Sequence, residues 1–251
     1  MHNLVIDIGN TNHKLAVFYD RELVDYQIVS QITTTALTEL IQKYSIECST
    51  ISSVAANLSE VVEVLKRKTK YVPFSTGNNT GIKNYYHSLT TLGLDRWAKV
   101  IAANYYHPGR DCFMIDAGTC ITYDLLNSRS EYFGGSISPG IHMRFEALNH
   151  YTGRLPLVEW DKKTVDIPKG SDTVTAIKNG VLQGVIHEVE GFIAHQASEN
   201  IGLAVVITGG DAGFLLEQLK NSIFAPQIIH DPYLVLKGLN EVIAFEHVQK
   251  N

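Results

Sequence analysis

The sequence predicts an α/β protein with mixed sheets, built as two similar halves. Three observations carry this. An apolar run delivers Asp7 into a turn rich in Gly and Asn; a run of the same design recurs around Asp116; and strands that begin as a meander then alternate with helical stretches. At 251 residues the chain has room for one large domain or two small ones, and the repeat favours two, divided as 1–107 and 108–251.

The first half opens with Leu4 to Phe18, a strand, a tight turn through Gly9-Asn10-Thr11-Asn12 and a second strand. A third strand is expected over Leu23 to Val29. Thr35 to Tyr44 places Leu37, Leu40, Ile41 and Tyr44 on one helical face. Ser49 to Ala56 reads as a buried strand. Asn57 to Glu60 has the form of a capping box, opening a helix with the stripe Leu58, Val61, Val62 and Leu65. Tyr71 to Phe74 is expected to be a strand and Ser75 to Leu92 a loop, long enough to suggest a function. Gly93-Leu94-Asp95-Arg96 then opens a helix with Trp97, Ile101 and Tyr105 on its buried side.

His107-Pro108-Gly109 breaks that helix and marks the boundary of the halves. The repeated hairpin runs from Phe113 to Leu126, with a third strand at Glu131 to Ile137. Gly134 to Gly140 leads into a helix burying Ile141, Phe145 and Leu148, with Pro139 suited to its first turn. Tyr151 to Lys169 is irregular, a flap. Asp172-Thr173 caps a long helix to about His195, its buried side drifting through Val174, Ile177, Val181, Val185, Val189 and Phe192. Gly180 and Gly184, one turn apart on it, mark either core packing or a contact between subunits. Leu203 to Ile207 is a strand ending in Thr208-Gly209-Gly210-Asp211, and Phe214 to Leu219 is helical. A glycine pair at the C-terminal end of a parallel strand is where nucleotides sit in open α/β sheets.

The residue chemistry points to phosphate. Gly and Asn tolerate unusual φ, so a turn built from them exposes backbone N–H groups that form an anion-binding concavity. Asp7 is placed to hold a divalent metal and Lys14 to reach a phosphate oxygen. Asp116, Gly118 and Thr119 repeat the pattern of Asp7, Gly9 and Asn10, which suggests two half-sites facing one nucleotide.

Composition excludes other classes. A net charge of −5 without a long basic run argues against nucleic-acid binding; Lys66-Arg67-Lys68 reads as a solvated helix end. Cys48, Cys112 and Cys120 lack metal-type pairing, and apolar strand contexts make reduced thiols the expectation. The first strand begins at once, leaving no room for a signal peptide, and no apolar run reaches ~18 residues. A cytoplasmic protein with no membrane partner is expected.

With these pieces in order, the chain resembles the type III pantothenate kinases of bacteria, within the superfamily of acetate and sugar kinases, Hsp70 and actin. Asp7-Ile8-Gly9-Asn10-Thr11 with Lys14 is similar to the family's first phosphate motif, Gly93-Leu94-Asp95-Arg96 to its substrate motif, and Asp116-Ala117-Gly118-Thr119 to its second phosphate motif. Gly134-Gly135, Pro139-Gly140, Thr152 to Pro156, Thr173 and Thr208 to Asp211 follow in the family's order. The resemblance implies a duplicated actin-like, ribonuclease H-like fold of two domains with an inter-domain nucleotide cleft. It implies that ATP phosphorylates the primary hydroxyl of pantothenate to 4′-phosphopantothenate, the first step of coenzyme A biosynthesis. By the same resemblance Asp95 is the general base; Asp7, Ile8, Gly9, Asn10, Thr11, Asn12, His13, Lys14, Gly118, Thr119, Gly209 and Gly210 meet ATP or its phosphates; and Tyr86, Gly93, Leu94, Asp95, Arg96 and Thr173 bind substrate. Asp7 organises Mg²⁺ or another divalent ion, directly or through water. Asp116 takes a monovalent cation, K⁺ or NH₄⁺. The family is dimeric, so a homodimer is implied, with Thr173 serving the neighbouring subunit's substrate. The chain departs from the family at Leu89, where Pro is frequent, and at Cys120, where a smaller residue such as Ala is usual. A related kinase with another small acceptor, and a non-catalytic ATP-binding regulator, are the alternatives.

Overall fold

The computed structural model describes residues 1–9, 12–53, 59–78 and 80–248. The chain forms two compact units, Met1–Pro108 with Ser130–Phe133 and Tyr233–Asn251, and Gly109–Arg129 with Gly134–Pro232. A division at 107/108 follows the chain; packing instead returns the last helix to the first unit.

In that unit β1 (His2–Ile8), β2 (His13–Tyr19), β3 (Glu22–Val29), β4 (Cys48–Ser53) and β5 (Lys70–Tyr71) make a sheet of order β3-β2-β1-β4-β5. The β1–β2–β3 meander is antiparallel, and β4 joins β1 in parallel. Alternate residues of β1 face opposite ways. Leu4, Ile6 and Ile8 pack with α1 (Thr34–Tyr44) and α2 (Ser59–Lys68) through Leu37, Leu40, Ile41, Val61, Val64 and Leu65. On the other face Asn3 donates through Nδ2 to Asn240 Oδ1 at 2.9 Å, on α7 (Leu234–Val248). Cover on both faces is why β1 reads as a continuous apolar run rather than an alternating one. Helix α7 packs in turn on α3 (Leu94–Tyr106), so closely that a Cβ on Gly238 would strike the Ala98 carbonyl. Arg21 fixes α7 to the hairpin with a fork onto Glu241, at 2.9 and 3.1 Å, and that carboxylate is 1% exposed.

In the second unit β7 (Cys112–Ala117) pairs antiparallel with β8 (Cys120–Leu126) and parallel with β10 (Ala204–Thr208), which pairs parallel with β11 (Ile228–His230). β9 (Glu131–Pro139) follows β8; its first residues count with the first unit, where they pair with β6 (Lys83–Asn84). α4 (Ile141–His150), α5 (Thr173–Glu199) and α6 (Ala212–Leu219) supply Phe145, Val185, Val189, Ile193, Phe214 and Leu215 to a core shared with Phe113, Ile115 and Tyr123. The repeat read from the sequence is therefore structural. Each unit starts with a meander whose first strand carries an aspartate as its penultimate residue, Asp7 in β1 and Asp116 in β7.

Several expectations are corrected. The strand at Tyr71 to Phe74 shortens to Lys70–Tyr71, and the loop from Ser75 to Leu92 contains the two residues of β6. Tyr105 is 38% exposed and stacks under the Arg21 guanidinium at 4.3 Å, and Val174 is exposed in the first turn of α5. Leu148 and Phe192 are only partly buried at the edge of the core. Pro139 ends β9, and Gly140, not the proline, caps α4. A Cβ at Gly180 or Gly184 would meet open space, so these glycines do not mark a close crossing within the chain. The capping box at Asn57-Leu58 and the strand end at Val54 to Ala56 lie outside the described residues.

Candidate active site

In the first unit the buried β1 strand brings Asp7 to the sheet's end, 9% exposed, directly across from Lys14 on β2. The following turn is closed by the Gly9 N–H, which donates to the Asn12 carbonyl at 3.2 Å. His13 sits opposite Ile8, and its Nδ1 is buried without a hydrogen-bond partner among the described residues. Asn10 and Thr11, expected to hold phosphate, lie outside the described residues. Lys14 and Asn12 are the side chains at this turn suited to phosphate oxygens.

The Gly93-Leu94-Asp95-Arg96 motif forms the first turn of α3, with Gly93 at the N-cap. Gly93, lacking a side chain, makes no side-chain cap. A Cβ there would lie 2.6 Å from Asp95 Oδ1, so glycine is what lets the carboxylate fold back over the helix start. Arg96 is 4% exposed, and its guanidinium lies 5.6 Å from the Tyr86 ring centroid. Tyr86 stacks with Tyr132 at 6.3 Å, and Tyr132 tilts against Trp97 at 6.0 Å. The pairing of β6 with β9 sets this up: Tyr85 N–H donates to the Tyr132 carbonyl at 2.8 Å, which places Tyr85 on Phe133 and Tyr86 on Tyr132. Beside Tyr86 a cavity of about 300 Å³ is lined by Tyr86, His87, Ser88, Thr91 and Phe133. Tyr86, Asp95 and Arg96, separated in sequence, thus share one unit and one helix start.

In the second unit the turn after Asp116 is closed by Gly118 N–H donating to the Cys120 carbonyl at 3.0 Å. Two glycines from elsewhere press on it. Gly209, at φ +99°, lies so close that a Cβ would overlap the Ala117 carbonyl and approach Asp116 Oδ1 to 2.6 Å. Gly140 donates its N–H to the Thr119 carbonyl at 3.0 Å, and a Cβ there would overlap the carbonyls of Gly118 and Thr119. Asp116, Gly118, Thr119 and Gly209 are therefore brought together, as their motifs predict; Gly210 has open space about its Cα. Asp211 is anchored by its N–H to the Ala117 carbonyl at 2.9 Å, and burial raises its carboxyl pKa against the opposing pull of His142 and Lys162.

Thr173 opens α5 behind a capping box in which Asp172 accepts from Thr175 N–H at 2.9 Å and Thr175 Oγ1 accepts from Asp172 N–H at 3.0 Å. It lines a second, apolar cavity of about 800 Å³ with Arg144, Leu148, Tyr151, Leu155 and Gly180. Arg144 of its lining also belongs to an unforeseen polar cluster. Glu188 on α5 accepts from Tyr123 Oη at 2.8 Å, Ser138 Oγ at 2.5 Å and Arg144 Nη2 at 2.6 Å. Burial alone would raise the Glu188 pKa, but the bonds from Ser138, Arg144 and Tyr123 and the Arg144 charge outweigh it and hold the carboxyl below its ordinary value of 4.5. A depressed folded-state pKa means stability that is present above that ordinary value and lost as pH falls through the folded one. Melting at about pH 6 and about pH 3.5 is expected to show a smaller acid-induced drop for Glu188→Gln than for the unchanged protein; equal drops would mean Glu188 does not contribute to acid sensitivity.

Sequence reasoning missed His87, Ser88, Thr91 and Phe133 as cavity walls, and Arg144 and Glu188 as a pair. The signals near the first group were Tyr86 and the length of the Ser75 to Leu92 loop.

The sequence pattern of the family described as type III pantothenate kinase matches residues 3–195. A type III pantothenate kinase of Phocaeicola vulgatus is 40% identical over 245 residues, covering 97% of this chain and 98% of that one. One from Bacteroides fragilis is 39% identical over 247 residues, covering 98% of each. Among solved structures, a Baf family protein from Campylobacter jejuni superposes with a TM-score of 0.61 at 22% identity, over 98% of this chain and 99% of that one. The activator of 2-hydroxyisocaproyl-CoA dehydratase from Clostridium difficile superposes with a TM-score of 0.55 at 14% identity, over 100% and 96%. Both structural likenesses speak to the fold, a duplicated actin-like one.

Proposed function

The chain belongs to the type III pantothenate kinase family, and from that premise we propose a role for each residue of the candidate site. The reaction is the ATP-dependent phosphorylation of pantothenate in coenzyme A biosynthesis. The observation that carries the assignment of roles is the cluster at the start of α3. Asp95 lies in the helix's first turn, and the buried Arg96 faces Tyr86 beside a cavity of about 300 Å³.

Asp95 is the general base. A carboxylate is too weak to remove an alcohol proton beforehand, so it takes the proton as the hydroxyl bonds to phosphorus. Arg96 and Tyr86 hold the pantothenate carboxylate or amide region, and the cavity orients the hydroxyl. The Gly9 turn with Asn12, His13 and Lys14, and the turn at Gly118 and Thr119, donate to the phosphates; a donor such as His13, whose Nδ1 lacks a partner among the described residues, suits this. Asp7 would hold Mg²⁺, directly or through water, since Mg²⁺ takes oxygen ligands and keeps several waters. When bound, the metal neutralises charge on the β and γ oxygens. Asp116 would hold K⁺ or NH₄⁺; only glycine at 209 leaves its carboxylate room, which suits a site kept open for a cation.

A homodimer in the cytoplasm completes the reading. The apolar cavity at Thr173, with Tyr151 83% exposed at its rim and Gly180 open beside it, is the face a second copy would cover. If Thr173 then serves the neighbour's pantothenate, Asp95→Asn and Thr173→Ala proteins, each nearly inactive, regain activity when mixed and allowed to exchange subunits. The mixed dimer holds one site with both residues intact. No gain on mixing, with exchange shown by differently tagged chains, would place Thr173 in its own subunit's site or outside it.

A further inference from the structure

We propose that Arg144, clamped by Glu188, is a positioning residue for the second phosphate turn, acting through the Ser138–Gly140 segment. This rests on the reading that Gly118 and Thr119 meet ATP phosphates and Asp116 the monovalent cation.

The turn from Ala117 to Cys120, closed by its own hydrogen bond, is also held from outside. Gly140 donates to the Thr119 carbonyl at 3.0 Å and lies against the carbonyls of Gly118 and Thr119 with no room for a side chain. Any displacement of residues 139 and 140 is therefore passed on to 118 and 119, because close-packed backbone has no slack. One guanidinium bonds both residue 138 and residue 139. Arg144 Nε donates to the Pro139 carbonyl at 2.9 Å, while its Nη2 reaches Glu188 Oε2 at 2.6 Å and Ser138 Oγ at 3.4 Å. Glu188 is itself fixed: its Oε1 accepts from Ser138 Oγ at 2.5 Å and from Tyr123 Oη at 2.8 Å, and Tyr123 is buried in β8.

The arrangement uses what is particular to arginine. Its planar guanidinium bonds a carbonyl through Nε and a carboxylate through Nη2 at once, which a lysine ammonium on a flexible stem does not reproduce. The Arg144 and Glu188 side chains are 21% and 24% exposed, sheltered enough for the charge to matter more than in a surface pair. A polar network of this kind favours one geometry, and here that geometry ends at the phosphate turn.

The test compares Arg144→Lys and Glu188→Gln with the unchanged enzyme. Arg144→Lys keeps the ion pair but not the bond to Pro139; Glu188→Gln keeps the shape but not the charge. Both are expected to raise the KM for ATP and the half-saturating potassium concentration by about 10-fold, as outer partners of a bound group commonly do. The KM for pantothenate is expected to stay within about twofold. Arg144 also lines the Thr173 cavity. A KM for pantothenate that moves as much as that for ATP, or an unchanged KM for ATP, therefore overturns the proposal. MgATP titrations followed by melting temperature, without pantothenate, separate this from the functional reading. Titrations displaced to about 10-fold higher ATP in both variants support the clamp even if no phosphopantothenate forms. Variant titrations that match those of the unchanged protein, flat ones included, overturn it.

Discussion

With Asp95 as the proposed general base, Asp95→Asn is expected to lower kcat for phosphopantothenate formation by about 10² to 10⁴. The substitution is nearly isosteric, and Asp95 lies half-exposed in the first turn of α3, so the helix and the Gly93 cap persist and melting changes little. What is lost is the acceptor for the hydroxyl proton as the new P–O bond forms. KM values for ATP and pantothenate should hold nearly constant, because the proton is transferred only in the transition state. A kcat within a few-fold of the unchanged enzyme would remove Asp95 from acid–base chemistry.

Gly209→Ala is the second large effect, and it acts through the backbone. At φ +99° an L side chain is strained, at about 1 to 3 kcal/mol. The added Cβ would also overlap the Ala117 carbonyl and crowd Asp116 Oδ1, where over-packing costs about 1 to 3 kcal/mol more. The combined loss corresponds to a fall in Tm of about 10 °C, and under the cation role proposed for Asp116 potassium-dependent activity is expected to fall as its carboxylate is displaced. Gly210→Ala is the control, since its Cβ meets open space, and it should melt close to the unchanged protein. If both variants melt alike, the close approach of residue 209 to the turn is not a constraint on this fold.

How much of this was legible in the sequence depended on how local each signal was. The two hairpins were readable because β1 and β7 are buried on both faces and end in Gly turns, so a run of apolar residues and a turn signature coincide. Helix α7 was not read. Its buried residues Leu234, Val235, Leu236, Leu239, Val242 and Ile243 form no narrow stripe, because it lies on the first unit's sheet and α3 together. Strand β6 has two residues, too few to show a period, and exists because β9 offers it an edge. Tyr105 fitted an apolar stripe by spacing, yet a half-exposed aromatic ring gains as much from the Arg21 cation as from the core.

The site divides in the same way. The turns after Asp7 and Asp116 were legible because an apolar strand runs into a Gly-rich turn, whereas the role expected of Asp95 came from the family resemblance and not from its spacing. Phe133 reaches the Tyr86 cavity only through the pairing of β9 with β6, and nothing near Phe133 in sequence announces it. Glu188, in the middle of α5, reads as one more solvent-facing charge until Tyr123, Ser138 and Arg144 converge on it from 65, 50 and 44 residues away.

The account is tested most directly by incubating the purified protein with ATP, Mg²⁺, potassium and pantothenate and analysing the products by mass spectrometry. Formation of 4′-phosphopantothenate that depends on both ATP and pantothenate, with a panel of sugars and short carboxylates left unphosphorylated, is the predicted result. A folded protein that leaves pantothenate untouched in potassium and in ammonium alike, or phosphorylates another acceptor in preference, would contradict it.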